Sequence, residues 1–441
     1  MYVCGMTPKE IPHIGHGFMF VHMDVIRRYL EHCGYEVQHL QNFTDIDDKI
    51  IARASSLGQD PLAYAEEKTQ AYFEVLDQLR VRHADKFPTV SESIPDITEA
   101  IQNLIDRGYA YRTSHGVYFS VAKFARYGAL SGRKEDVGVE AGARVDVDVE
   151  KNDPRDFALW KLVPKDEIGW TSPWGRGRPG WHIECSAMVQ ASLGNQIDIH
   201  GGGADLLFPH HENEIAQAEA GSGETPFVRH WLHTGLVQTD GEKMSHSSNN
   251  FTSLAEVLSA ISPDALRLHF LSVHYRTSMV FSHEAVLQSH AAYERLLGFM
   301  RASGDDQSCN NKALTDAARR ARVAFESAMD DDFNAPRAIG GLFELGRSIN
   351  REGPRSSPSV VAQAQSTLRE LLGILGIELH DGPAHPSEAA PYIELLIETR
   401  SALREARQWE LADRIRDRLM ELGVAIEDGP TGTEWHQIGP T

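Results

Sequence analysis

The chain has 441 residues, of which 41% are hydrophobic and 24% are charged, an ordinary balance for a globular protein of about two to four domains. Lys and Arg number 43 against 63 Asp and Glu, and the formal charge of −20 excludes a protein that coats nucleic acid through a generally basic surface. The sequence shows no apolar run of about 18 residues and no signal-peptide pattern, and its four scattered cysteines exclude a disulfide scaffold, so we expect a cytoplasmic protein without a membrane span.

The first 50 residues alternate between strand and helix patterns. "MYVCGM" is a short apolar run, Pro12 and Gly15 mark a turn, and "FMFVHMDVIRRYLEHCGY" has apolar residues at helical spacing. Gly34 is expected to end that helix, and "EVQHLQNFT" is typical of the next strand. This order predicts a βαβ unit in an α/β, Rossmann-type domain, whose binding crevice lies at the carboxyl ends of parallel strands.

The segment "PHIGHG" at 12–17 places His13, Gly15 and His16 between the first strand and its helix. A helix N-terminus attracts anions, a glycine allows close approach, and two imidazoles can donate hydrogen bonds to phosphate oxygens. The segment therefore favours a phosphate site, with two histidines merely hydrogen-bonded in a loop as the alternative.

Residues of about 86–175 differ in sequence pattern from the segments on either side. "AYRTSHGVYFSVAKF" alternates like a hairpin, and the stretch that follows is polar and rich in turns. We interpret this region as an insertion into one Rossmann-type domain. "NQIDIHGGGADLLF" then predicts a returning buried strand followed by glycines, with Asp205 able to bind a ribose. The spacing is not that of a dinucleotide site, so hydride transfer is not supported, and a simple glycine turn is the alternative.

A metal site is indicated by residues from three separate segments. Cys4 ends the first strand, Cys185 lies in "HIECSAM", and His210 and Glu214 are four residues apart at the start of a helix. Two thiols, one imidazole and one carboxylate suit zinc. Buried structural cysteines beside a solvated helix start are the alternative, and His211 and Glu212 are competing ligands, so the spacing alone leaves the set open.

The stretch "GEKMSHSSNN" at 241–250 supplies one fixed positive charge, Lys243, together with His246 and the hydroxyls of Ser245 and Ser247. It is a candidate phosphate loop, with a polar surface loop as the alternative. From about residue 253 the pattern is helical, interrupted by "SGDDQSCNN", "EGPRSSPS" and "HDGPAHPSE". The middle part has helix-bundle spacing, and the last part predicts two helices followed by short strands.

Taken together, these motifs resemble the class I aminoacyl-tRNA synthetases, and within them the cysteinyl-tRNA synthetase family. "HIGH" at 13–16 matches the first ATP signature, and "KMSHS" at 243–247 is an altered form of the second, KMSKS. The resemblance extends over nearly the whole chain, through "YVCG", "NFTDIDDKI", "RPGWHIECSAM", "DIHGGGADLLFPHHENEIAQ" and "LGVAIEDGPTGTEW".

The resemblance implies that cysteine and ATP form cysteinyl-adenylate, and that the cysteinyl group then passes to the 3′ end of tRNA(Cys). It implies one zinc ion per chain, with the substrate thiolate bound to zinc, and Mg²⁺ with ATP. Position by position, it assigns three sets of residues. The expected zinc ligands are Cys4, Cys185, His210 and Glu214. The residues expected to bind ATP are His13, Gly15, His16, Gly202, Asp205, Lys243 and His246. Those expected to bind the amino acid are Gly5, Thr44 and Trp181. His13, His16, Lys243 and His246 are the residues expected to assist catalysis.

The resemblance also implies a domain order, and we expect a monomer. The Rossmann catalytic domain would occupy 1–245, with the insertion at about 86–175. A linking stem-contact segment (246–300), a helical bundle (303–380) and a C-terminal anticodon-side tRNA-recognition domain (385–441) would follow. A local basic strip would contact RNA, and its candidates are Arg400, Arg404, Arg407, Arg414, Arg416 and Arg418.

Two departures from the family pattern motivate alternatives. The chain starts only three residues before Cys4, which is expected to loosen that ligand, and His246 stands where the family has its second lysine. A non-catalytic synthetase paralogue is therefore one alternative. A ligase that joins cysteine to an amino sugar is the other, because it shares the adenylation core.

Overall fold

The computed structural model of the chain describes residues 1–133, 150–239, 242–243, 253–305, 311–379, 390–429 and 432–437. Among the helices in these ranges, none has the length and apolar character that a bilayer crossing requires. His246 lies outside the described residues, as does the loop signal "HDGPAHPSE".

The amino-terminal segment forms the βαβ unit that the sequence predicts. β1 (Tyr2–Val3) runs parallel to β2 (Leu40–Gln41), and α1 (Ile14–His32) connects them. The chain leaves α1 through Gly34, whose φ of 89° lies in the left-handed region that favours glycine. Three helices follow before the next strand: α2 (Asp48–Leu57), α3 (Pro61–Gln78) and α4 (Ile94–Asp106).

A separate antiparallel sheet lies between α4 and the second half of the parallel sheet. Its strand order is β3-β4-β5-β6. The bounds are β3 (Ala110–Arg112), β4 (Gly116–Phe119), β5 (Phe157–Leu162) and β6 (Gly177–Pro179). The pairing of β3 with β4 is the hairpin expected from the alternating pattern. Gly116 is needed there because an added Cβ would lie 2.0 Å from the carbonyl oxygen of Trp160.

The parallel sheet is completed after this insertion by α5 (Trp181–Leu193), β7 (Ile197–Gly203), α6 (Glu212–Ser222) and β8 (Val228–Thr234). β7 pairs with β1 and with β8, always in parallel, which gives the order β2-β1-β7-β8. The Rossmann-type prediction is thereby confirmed. The carboxyl ends of these strands meet at one edge, where the candidate site lies.

A small sheet and three helices connect this domain to the rest of the chain. The strands are β9 (Val237–Thr239), β10 (Glu242–Lys243) and β11 (Met279–Phe281), and the helices are α7 (Leu254–Ala260), α8 (Pro263–Leu271) and α9 (His283–Met300). β9 is central, with β10 antiparallel and β11 parallel to it.

The carboxyl-terminal part is helical, as expected. α10 (Lys312–Met329), α11 (Ala335–Glu352) and α12 (Pro358–Ile374) pack together around an apolar core that continues into α1. The two predicted final helices and the strands after them are α13 (Ala390–Glu405), α14 (Trp409–Glu421), β12 (Val424–Gly429) and β13 (Gly432–Gln437). They enclose a small core of their own, which contains Ile393, Leu419 and Val424.

Candidate active site

Two cysteines meet at the end of β1. Cys4 follows that strand directly, and its backbone N–H donates to the carbonyl oxygen of Gly201 in β7 over 2.9 Å. Cys185 lies in the first turns of α5, and the two Sγ atoms are 3.9 Å apart. Both side chains are buried. Cys4 is therefore fixed against β7 by its own backbone.

His210, in the turn that leads into α6, and Glu214, in the first turn of α6, complete this cluster. His210 Nε2 lies 2.9 Å from Glu214 Oε1, and that oxygen lies 3.7 Å from Cys4 Sγ. One ligand atom from each of the four residues lies within 4.8 Å of the others. The set combines two thiols, an imidazole and a carboxylate in a buried place, which is the donor chemistry of a tetrahedral zinc site. The residues therefore fit the metal that the family resemblance implies.

The ionisation of the four residues is strongly perturbed. A hydrogen bond from Cys4 lowers the pKa of Cys185 to about 6 against the opposing effect of burial. Burial would lower the pKa of His210, but the charge of Glu214 and contact with Cys185 raise it to about 10. Burial would raise the pKa of Glu214, but His200 and His210 hold it well below its usual range. Burial, together with the hydrogen bond to Cys185, raises the pKa of Cys4 well above its usual value. The cluster thus combines two groups whose anionic form is favoured, Cys185 and Glu214, with one thiol, Cys4, whose anionic form is not.

A second set of donors shares Cys4 and Glu214 with the first. Its other members are His200 and His211, and the four ligand atoms again lie within 4.8 Å of one another. His200 Nε2 is 2.9 Å from Glu214 Oε2, and His211 Nε2 is 3.4 Å from Cys4 Sγ. The sequence left His211 open as a ligand. It did not indicate His200, although "IHGGG" already placed that histidine in the strand that enters the site.

The other competing ligand, Glu212, is directed towards the insertion. Its carboxylate accepts backbone N–H bonds from Gly128 (2.9 Å), Leu130 (3.2 Å) and Ser131 (2.8 Å). Because three backbone donors of one loop satisfy this buried carboxylate, we assign Glu212 a structural function: it holds that loop of the insertion.

Two further imidazoles and one indole contact the histidines of the two donor sets. His182 Nδ1 lies 2.9 Å from His210 Nδ1, and His233 Nε2 lies 2.8 Å from His211 Nδ1. Trp231 stacks on His200 with ring centroids 4.7 Å apart, because the two residues pair in register across β7 and β8. Such contacts fix the orientation of metal-binding imidazoles.

The residues assigned to the amino acid lie around the thiols. Thr44 is buried after β2, and its hydroxyl donates to Glu184 Oε2 over 3.2 Å. The indole of Trp181, which begins α5, lies 4.4 Å from the ring of His210 between centroids. Glu184 was not predicted from the sequence. Burial, together with the charges of Cys185 and Asp47, raises the pKa of its carboxyl well above the usual value.

Gly5 allows the chain to pass close to the second strand. Its N–H donates to Asn42 Oδ1 over 2.9 Å, and an added Cβ would lie 1.7 Å from the carbonyl oxygen of Asn42. Any other residue here would push apart β1 and β2, which carry Cys4 and Thr44 at their ends.

The histidines of the first ATP signature lie together at the start of α1. Their rings stack with centroids 3.8 Å apart, and the backbone N–H of His13 donates to His16 Nδ1 over 3.2 Å. Burial and the nearby charges of His13 and Lys9 hold the pKa of His16 well below its usual value. A neutral ring that accepts at Nδ1 carries its proton on Nε2, which is then available as a donor. At Gly15, between them, an added Cβ would lie 3.0 Å from His13 Cε1.

The remaining ATP candidates occupy the end of β7 and the small sheet. An added Cβ at Gly202 would lie 3.0 Å from His211 Cε1, so this glycine lets β7 pass close to that imidazole. Asp205 is exposed in the turn directly after β7. Lys243 belongs to β10, where its backbone pairs with Gln238 of β9. His246, the last candidate, lies outside the described residues.

Comparison with protein families gives three matches along the chain. Residues 1–291 match the family model of the tRNA synthetases class I (C) catalytic domain. Residues 324–380 match the DALR domain, and residues 388–435 match the cysteinyl-tRNA ligase anticodon binding domain.

Curated relatives match over nearly their full length. A cysteine–tRNA ligase of Dehalococcoides mccartyi is 46% identical, with 99% of this chain and 94% of the relative covered. One from Pelotomaculum thermopropionicum is 45% identical over 100% of this chain and 95% of the relative. Among solved structures, a Mycobacterium tuberculosis methionyl-tRNA synthetase in complex with methionyl-adenylate has a TM-score of 0.62 at 16% identity. That match covers 85% of this chain and 89% of the other, and it shows the shared fold.

Proposed function

The chain belongs to the cysteinyl-tRNA synthetase family of class I synthetases, and we propose that it joins cysteine to the 3′ end of tRNA(Cys) at the expense of ATP. Cysteine and ATP would give cysteinyl-adenylate and pyrophosphate. Attack by the terminal ribose hydroxyl of the tRNA would then give cysteinyl-tRNA and AMP. The observation that carries this proposal is the buried cluster of Cys4, Cys185, His210 and Glu214 at the strand ends of a class I catalytic domain.

We propose that this cluster holds zinc and selects the amino acid. When bound, zinc would supply a soft Lewis acid that binds a thiolate and discriminates against the hydroxyl of serine. Trp181 packs on His210 and orients that imidazole, while Thr44 and Glu184, which are joined by a hydrogen bond, fix the wall beside Cys185. The protein residues thus hold the ligands still and exclude water around the amino acid.

The adenylation step requires positioning and charge stabilisation more than proton transfer. The cysteine carboxylate is already a nucleophile, so it needs no general base. The Nε2–H of His16 and the ring of His13 at the start of α1 would donate to phosphate oxygens, and Lys243 would add positive charge from β10. Gly15, Gly202 and Asp205 would accommodate the nucleotide, with Mg²⁺ bound to its phosphates.

The carboxyl-terminal residues are the proposed tRNA-recognition part, from about 385 onwards, after the segments 246–300 and 303–380. Among the arginine candidates, Arg400 and Arg404 both bind Asp428, with Arg400 making two bonds of 2.8 Å. Arg400 is buried, so it stabilises this small domain internally. The exposed Arg407, Arg414 and Arg418 are the better candidates for contact with RNA.

The experiment that tests the function is ATP–pyrophosphate exchange followed by charging of a tRNA(Cys) transcript. We expect exchange with cysteine, very little with serine, and cysteinylation of the transcript. Exchange without charging, but with transfer to an amino sugar, would instead identify the amino-sugar ligase. The match to an anticodon binding domain disfavours that reading. Zinc-loaded protein that exchanges nothing would identify a non-catalytic paralogue.

A further inference from the structure

One turn of the helical bundle contacts both the helix that carries the first ATP signature and the segment that leads into β11. This turn, Asp330–Phe333, connects α10 to α11. On one side, the hydroxyl of Tyr29 in α1 donates to Asp330 Oδ1 over 2.6 Å. On the other side, Asp332 contacts residues 274–276, which lead into β11. The turn therefore bridges the signature helix and the sheet that contains Lys243.

Asp332 collects donors from three consecutive residues. Arg276 donates through Nε to Oδ2 (2.5 Å) and through Nη2 to Oδ1 (3.0 Å), and the hydroxyl of Tyr275 donates to Oδ1 over 2.7 Å. His274 Nε2 donates to the backbone carbonyl of Asp332 over 3.0 Å. The Arg276 guanidinium also lies 4.8 Å from the centroid of the Tyr275 ring. Several donors with fixed mutual geometry define an orientation more strictly than one ion pair does.

The backbone of this turn is strained. Asp332 and Phe333 have φ values of 55° and 54°, in the left-handed region that residues other than glycine rarely adopt. Strain of this kind persists where the surroundings determine the conformation, and it is concentrated at functional elements. Asp332 is also 41% exposed, and exposed ion pairs add little to stability. The main effect of this contact is therefore to fix the orientation of residues 274–276, and its contribution to stability is small.

Residues 274–277 in turn support the strands that lead to Lys243. The N–H of Gly235 donates to the carbonyl oxygen of Tyr275 over 2.7 Å, and an added Cβ at Gly235 would lie 2.2 Å from Thr277 O. β11 then pairs with β9, which pairs with β10, where Lys243 is located. Asp332 is thus connected to Lys243 through one tight turn and two strand pairings.

We propose that Asp332 is a positioning residue for adenylation: from the helical bundle, it fixes the 274–276 turn and thereby the placement of β9 and β10 at the ATP site. The proposal rests on the proposed function, because it concerns the ATP-dependent step. It predicts that loss of the Asp332 carboxylate disturbs ATP use while the metal cluster and the cysteine site stay intact.

The kinetic test compares Asp332→Asn and Tyr275→Phe with Asp331→Asn in ATP–pyrophosphate exchange. Asn adopts positive φ readily, so the first variant keeps the turn but loses the charge and one of the two acceptor oxygens. Asp331 is the matched control because its carboxylate pairs with Arg337 of α11, at 3.1 Å. We expect Asp332→Asn to lower kcat/KM for ATP about tenfold, with KM for cysteine and the melting temperature unchanged, because small displacements of positioned groups are costly. Equal losses for both substrates, or none, would overturn the proposal.

Amide hydrogen exchange supplies a readout that does not depend on activity. The amides of Gly235 and Met279 report directly, because they donate to Tyr275 O and Leu236 O. Exchange at these amides should be faster in Asp332→Asn and unchanged in Asp331→Asn. If amide hydrogen exchange were unchanged in both variants, the proposal would be contradicted, even if the protein were inactive. Wild-type protein without pyrophosphate exchange would overturn the proposed function alone.

Discussion

Asp24 and Arg267 form an ion pair with both side chains fully buried, at 2.7 Å between Oδ2 and Nη2. The pair joins α1 to α8. Arg267 also donates to the carbonyl oxygens of Leu79 (2.9 Å) and Leu375 (2.8 Å), so it connects three parts of the chain. Gly376 follows with φ of 69°, and an added Cβ there would lie 2.1 Å from Arg267 Nη2. The guanidinium of Arg267 is therefore enclosed by α1, by the chain at Leu79 and by the chain at Leu375 and Gly376.

Asp24→Asn should destabilise the protein strongly. The substitution leaves a buried cation without its counter-charge, which costs about 3 kcal/mol or more in comparable pairs. Urea unfolding at pH 7, followed by circular dichroism, measures the loss. Glu344→Gln is the control because Glu344 pairs with Arg347 on an exposed helix surface, and its midpoint should not move. Equal midpoints for the two variants would show that the buried pair contributes no more than a surface pair.

The two donor sets around Cys4 and Glu214 predict different effects of substitution. If Cys185 and His210 complete the zinc site, Cys185→Ser and His210→Gln should lose most of the metal, whereas His211→Gln should retain it. Elemental analysis after exhaustive dialysis measures this, and X-ray absorption should show two sulfur ligands at about 2.3 Å. Cys33→Ser is the control because Cys33 is an exposed cysteine. Loss of zinc in His211→Gln and retention in His210→Gln would assign the site to the second set, with one sulfur ligand.

The sequence predicted the fold class and brought the first donor set into view for a simple reason. Strand ends converge in a parallel sheet, and residues four apart share a helix face, so Cys4, His210 and Glu214 could be expected near one another. His200 could not be placed in the same way, because its position beside Cys4 depends on the register between β1 and β7. The raised pKa of Glu184 could not be predicted either, since it results from burial and from the charges of neighbouring groups.

The contact between Asp332 and Arg276 shows a second limit. The two residues are 56 positions apart, and Asp332 adopts a positive φ in "DDDFNAP", a stretch without glycine. Local patterns predict helices, caps and strand ends. They do not predict which loop of a bundle touches which loop of the catalytic domain.

His22 predicts a pH-dependent stability. It is buried in α1, and burial lowers its pKa to about 3 although its ring contacts the carbonyl oxygen of Phe270 over 3.2 Å. Below pH about 6.5 the unfolded chain binds a proton here that the folded chain does not, so stability falls as pH falls. Between pH about 7.5 and 5.5 the wild type should therefore lose about 1.4 kcal/mol more than His22→Gln.

Urea unfolding at the two pH values measures this difference. Gln can keep a donor towards Phe270 O, so the variant removes the titration with little loss of packing. Substitution of the exposed His230 is the control, since that side chain stays in water when the chain unfolds. A pH dependence in His22→Gln equal to that of the wild type would exclude His22 as its source.

The second ATP signature predicts a pH-dependent rate of adenylation, because His246 replaces a lysine in "KMSHS". An imidazole next to phosphate favours its charged form, so it can supply positive charge below its pKa, ordinarily about 6.5, and loses it above. Pyrophosphate exchange should then slow as pH rises. His246→Lys should raise the rate at high pH and flatten the profile, because lysine stays charged. His246→Gln is the matched control: it is neutral throughout, so it should be slow and equally flat. One common profile for all three proteins would show that position 246 contributes no charge to the reaction.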